Sequence, residues 1–128
     1  MDKRKRHKSQ EQKNYDTRLF EDNITKIMSQ NRFIYSHAIV ASLLGTHDST
    51  LSSGLSGERC IPDRLIRLSC VYSNLPQNSI FLKSVSKMSS VQREKFISAL
   101  DVLIDIKDLI GNETFEELLL AMKNLTSL

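Results

Sequence analysis

Apolar side chains recur along this chain at steps of three and four residues, the spacing of one face of an α-helix. The opening stretch MDKRKRHKSQEQKN has no apolar residue after Met1. It cannot bury surface to offset its ordering entropy, so residues 1–14 are expected to form a mobile arm. Leu19, Phe20, Ile24, Ile27 and Met28 then predict an amphipathic helix over about 16–30, with Asp16, Glu21 and Asp22 near its start. Ser36 can cap a second helix carrying Ile39, Val40, Leu43 and Leu44, and Gly45 supplies a position able to take a positive φ. Thr46 or Asp48 can cap a short third helix with Leu51 and Leu55 inside, ending near Gly57.

Pro62 suits the first turn of a fourth helix, with Leu65, Ile66, Leu68 and Val71 on its buried side. After the break at Asn74, Pro76 and Asn78, a fifth helix over about 78–87 would turn Ile80, Phe81 and Val85 inward. Ser89-Ser90-Val91-Gln92 reads as a capping box opening a helix over about 90–110, stopped by Gly111-Asn112. A last helix over 113–125 carries Phe115, Leu118, Leu119, Met122 and Leu125. No alternating run long enough for a sheet and no internal repeat is visible, so the class is all-α.

A length of 128 residues with 40% apolar side chains allows one main domain and an accessory piece. The pattern divides the chain into the arm 1–14, a helical domain 15–88 and a C-terminal helical segment 89–128. With no apolar run of membrane-spanning length and no hydrophobic segment behind the basic start, neither a membrane partner nor export is expected, and the cytoplasm is the expected location. There, Cys60 and Cys70 are expected as free thiols. His37, His47, Cys60 and Cys70 are too widely spaced for a compact zinc site, and the serines accompany no nucleophile elbow. Neither a metal, a cofactor nor catalysis is expected.

Charge is distributed unevenly. Residues 1–13 hold six basic and two acidic side chains, net +4, whereas residues 90–128 hold four basic and seven acidic ones, net −3. Lys3, Arg4, Lys5, Arg6 and Lys8 therefore suit a polyanion, whereas the acidic end suits a protein partner if any.

Two helices joined by a short turn with a central glycine form a rigid unit whose second helix can enter a major groove. In HAIVASLLGTHDSTLSSGLSGERCIP, Ala41 is small where the helices cross, Gly45 bends the chain, and His47, Asp48, Ser49, Ser52 and Ser53 would face outward. These residues resemble the helix-turn-helix of lambda-repressor-like and Cro-like phage and plasmid regulators. The likeness rests on the A-x-x-L-G spacing of Ala41, Leu44 and Gly45, on S-T-L-S at Ser49–Ser52, and on L-S-G-E-R-x-I-P at Leu55–Pro62, and it covers about residues 16–75.

The resemblance implies a five-helix domain, base reading by helix 46–56 through His47, Asp48, Ser49, Ser52 and Ser53, and a dimeric repressor on a palindromic operator in double-stranded DNA. It also implies phosphate contacts from His37, Thr46 and Arg59, to which the basic arm would add phosphate or minor-groove contacts. Ser53 and Gly54 depart from the family, whose members often carry a basic and an aromatic residue there. The outward set also lacks Arg, Lys, Asn and Gln, the side chains that recognise purines bidentately. A protein-interaction adaptor or anti-repressor with only unspecific DNA binding therefore stays open as the alternative.

On the C-terminal segment, Phe96, Ile97, Leu100, Val102, Leu103, Ile104, Ile106, Leu109 and Ile110 span an arc of about 240° at 100° per residue. A helix so apolar needs cover on two sides, and self-association supplies it economically. Phe96, Leu100, Leu103, Ile104, Leu118 and Met122 are accordingly expected to form a homodimerisation hairpin. The remaining edge, with Glu94, Ser98, Asp101, Asp105 and Asp108, is expected to meet solvent.

Overall fold

A computed structural model describes residues 9–126, with the side chains of 9–122. Among the described residues there are seven α-helices and no strand: α1 (Gln10–Gln30), α2 (His37–Leu43), α3 (Asp48–Ser56), α4 (Asp63–Ser73), α5 (Ile80–Ser86), α6 (Ser90–Asp105) and α7 (Lys107–Thr126).

α1 begins at Gln10 instead of near Asp16, so the last part of the expected arm is helical. Local polar bonds explain the extension. Ser9 Oγ accepts the Gln12 amide at 3.0 Å, Gln10 reaches Asn14 at 3.0 Å, and Gln12 reaches Asp16 at 2.8 Å, each one turn along the helix. The rest of the expected arm, residues 1–8 with Lys3, Arg4, Lys5, Arg6 and Lys8, lies outside the described residues.

α1 lies along α4, burying Phe20, Ile24 and Ile27 in a core shared with Leu65, Leu68 and Tyr72. Their contact includes a buried polar set: Asn23 Nδ2 donates to Ser69 Oγ at 3.0 Å, and Ser73 Oγ donates to Asn23 Oδ1 at 3.4 Å. Such a set is tolerated inside because its members satisfy one another, and it favours one register of the two helices.

The buried Asn31 ends α1 and holds the entry to α5. Its Nδ2 donates to the Ile27 carbonyl at 2.8 Å while its Oδ1 accepts the Ser79 amide at 2.9 Å. Ser79 then caps α5, accepting the Leu82 amide at 3.2 Å. This register buries Phe81, Leu82 and Val85 but leaves Ile80, expected inside, exposed at the first helical position.

α6 opens with the expected capping box, both bonds between Ser89 and Gln92 being 3.2 Å. It stops at Asp105 rather than 110, bends at Ile106, makes one turn and breaks again at Gly111, whose φ of 86° and ψ of 159° are not helical. Ile97, Leu100, Leu103 and Phe115 enter the same apolar cluster as α1–α5. The dimer assignment is therefore corrected for Leu100 and Leu103, which the chain buries against itself. Phe96 meets Phe81 with the rings tilted by 53° and 5.4 Å between centres, and Ile104 and Met122 are half-buried against the core. Of the six expected contacts Leu118 alone is exposed, while Val102 and Leu109, not among the six, are 61% and 86% exposed.

Candidate nucleic-acid interface

The turn between α2 and α3 is built by backbone hydrogen bonds around a left-handed glycine. Leu44 ends α2, Gly45 takes φ 70°, its amide donates to the Ser42 carbonyl at 3.2 Å, and the Thr46 amide donates to the Ala41 carbonyl at 2.9 Å. This paired pattern uses carbonyls that the end of a helix leaves unpaired and sends the chain off sharply. From α4, the buried Tyr72 donates its hydroxyl to the Leu43 carbonyl at 2.8 Å, fixing α2 from below. Burial, with Asp101 adding and Arg93 opposing, holds this phenol protonated far above its ordinary range.

Gly45 has a second role that its position in the sequence does not reveal. A methyl group placed on it would stand 3.0 Å from Ile97 Cδ1 and 3.4 Å from Arg64 Nη2, so α6 and α4 both close on the turn.

α3 starts after His47, which caps it through the backbone with no side-chain bond; neither Thr46 nor Asp48, the expected caps, holds that position. Leu51 and Gly54 face inward, and Gly57 ends the helix at φ 86°. Gly54 has a local reason: a Cβ there would approach Ile61 Cγ1 to 3.0 Å. The loop after α3 packs on the helix at a point where a larger residue meets resistance.

On the outward side, His47, Asp48, Ser49 and Ser52 are exposed along α3 and its leading end. Ser53 is half-buried, and its carbonyl accepts the Glu58 amide at 3.0 Å and Ser56 Oγ at 3.1 Å, so it belongs to the helix end more than to the open face. His37 is exposed at the start of α2, Thr46 is half-buried in the turn, and Arg59 is exposed in the loop after α3.

Tyr35 and two arginines carry no signal in the spacing of apolar residues. Tyr35 precedes the Ser36 cap, where an apolar residue commonly packs back onto its helix, yet it is 81% exposed. Arg64 and Arg67 of α4 pair with Asp101 and Asp105 of α6, the first pair at 2.9 Å. The acidic edge of α6, expected to meet only solvent, thus faces α4 at Asp101. Burial raises the Asp101 carboxyl above its ordinary value, with Asp105 adding and the two arginines pulling it back.

A groove of about 760 Å³ separates α7 from the junction of α4 and α5, lined among others by Leu75, Ile80, Phe81, Phe115 and Leu119. It shares no residue with α2 or α3. Among the described residues no group of three His, Cys, Asp or Glu could hold a metal ion, Cys60 and Cys70 are free thiols, and no helix is long and apolar enough to cross a membrane. Compared with family models, curated proteins and solved structures, the chain matches none.

Proposed function

We propose that this chain is a transcription regulator that binds double-stranded DNA, α3 entering the major groove. The observation that carries the reading is the Gly45 turn, which leaves His47, Asp48, Ser49 and Ser52 exposed while Leu51 anchors the opposite side of α3. A helix held on one side and polar on the other fits a groove about 12 Å wide. His37, Arg59 and the basic residues 3–8 supply phosphate contacts, with Thr46 adding a half-buried hydroxyl. By its resemblance to phage and plasmid repressors the protein acts in the cytoplasm as a homodimer on a palindromic operator. The dimer uses apolar residues that the fold leaves open, Val102, Leu109, Leu118 and Leu120, in place of Leu100 and Leu103.

One feature favours a second reading. The exposed face of α3 has no Arg, Lys, Asn or Gln, so it is poor in purine-reading groups. A protein adaptor with unspecific DNA binding would show that composition. Selection of the full chain against random duplexes separates the two: an enriched palindrome is expected, and binding without sequence preference would favour the adaptor. Ser49→Ala and Ser52→Ala should lower discrimination between the selected site and random DNA more than they lower overall affinity. Equal losses on both would remove these side chains from base reading.

A further inference from the structure

Two arginines on one side of α4 are occupied by carboxylates from α6. Arg64 Nε donates to Asp101 Oδ2 at 2.9 Å, and Arg67 Nη1 pairs with Asp105 Oδ1. The arginines are one helical turn apart on α4 and the aspartates one turn apart on α6, so the pairs repeat in register. Both pairs remain open to water, with side-chain exposures of 41% and 23% in the first and 48% and 56% in the second. The exposed Arg67–Asp105 pair holds weakly and the part-buried Arg64–Asp101 pair more firmly, and a guanidinium donates to phosphate in the same forked geometry as to carboxylate.

Their location matters. Arg64 Nη2 lies 3.4 Å from the Cβ position of Gly45, the residue that turns α2 toward the leading end of α3. A helix end seated in the major groove is flanked by backbone phosphates, and an arginine beside it is in the neighbourhood of that polyanion. α6 itself is fixed independently of the ion pairs, because Ile97 packs against the turn and Leu100 is fully buried. An exchange of partners can therefore proceed by side-chain rotation with the helix in place.

We propose that Asp101 and Asp105 stand in for DNA phosphates, occupying Arg64 and Arg67 until duplex DNA draws the two guanidiniums onto its backbone. The proposal rests on the DNA-binding reading and adds to it a contact surface on α4 that α6 restrains. The carboxylates also repel phosphate, so both effects hold the affinity of the free protein below what its cations could supply.

The test uses the full chain and a labelled duplex, with affinity measured over a salt series. Asp101→Asn with Asp105→Asn is expected to tighten binding several-fold and to steepen the salt dependence by up to about 0.9 log units per phosphate gained. Adding Arg64→Gln and Arg67→Gln should abolish that gain. Asp105→Asn alone, at the more exposed pair, gives a smaller change in the same direction and stays readable if the double variant folds poorly. Unchanged affinity and slope in Asn variants that fold, with the wild type binding, would overturn the proposal and leave the DNA reading standing. A gain that persists without the arginines would also overturn it, since repulsion alone would then be at work. Duplex bound by neither the wild type nor the Asn variants would sink the DNA reading together with the proposal.

Discussion

Gly45 and Gly111 each take a positive φ where the chain changes direction, and their surroundings make them behave differently. Between α2 and α3, Gly45 at φ 70° is hemmed by Ile97 and Arg64 and spanned by two backbone hydrogen bonds. At the start of α7, Gly111 at φ 86° meets no atom within 4 Å of its Cβ position. The first turn is closed by two other elements, α4 and α6, and can hold α3 at a set angle. Around the second, the chain is held by side chains on either side of the glycine, chiefly the buried Phe115 with Ile106 and Ile110 half-buried. A glycine in a sequence marks where a chain can turn; the neighbours decide whether the angle is rigid enough to present a surface.

The largest expected effect tests whether α6 belongs with the first region or with a second subunit. Leu100→Ala should cost about 2–5 kcal/mol in chemical denaturation, as for other fully buried leucines, with no dependence on protein concentration. A loss that shrinks as concentration rises would put Leu100 at a subunit interface after all.

Gly45→Ala should cost about 2–4 kcal/mol, from the left-handed backbone together with displacement of Ile97. Gly111→Ala should cost less, about 1–3 kcal/mol, because only the backbone resists and the junction can relax by straightening. Circular dichroism should then show added helix in the Gly111 variant and none in the Gly45 variant. Equal losses and equal spectra would erase the distinction between the two turns.

Gly54→Ala has the smallest expected net effect. Alanine gains about 1 kcal/mol of helix propensity, but its Cβ would press on Ile61, so the measured stability should change little or fall. A gain near the full helix value would mean that the loop yields freely and that this glycine has no packing role.

Much of the site was legible in the chain because local chemistry specifies it. The Ser36 cap, the Gly45 turn, the inward Leu51 and the Ser89–Gln92 capping box all depend on residues within one or two helical turns of each other. The early start of α1 was missed because its support is polar, from Ser9 and glutamine pairs, and periodicity of apolar residues does not register it. Ile80 was misplaced because the register of α5 is set by Asn31, 48 residues before the amide of Ser79 that it holds.

The wide apolar arc presumes one helix to 110, but the bend at Ile106 divides it: Ile97, Leu100 and Leu103 turn into this chain's own core while Val102 and Leu109 stay exposed. Arc width reports how much surface must be buried, not whether the partner is another copy or another helix of the same chain. Likewise the charges of Arg64, Arg67, Asp101 and Asp105 are visible in the sequence, but their pairing links residues 37 and 38 positions apart.

By itself the sequence determined that the chain is helical, where most helices begin and end, and where it turns sharply before α3. Those properties arise from caps, glycines and spacing, whose interactions close within a few residues. Only the tertiary structure decided that α6 lies over α4 and the Gly45 turn, that Leu100 and Leu103 serve this chain's own core, and that Gly54 accommodates Ile61. Apolar burial has no direction and charge pairing tolerates many partners, so which distant surfaces meet is settled only when all the helices pack at once.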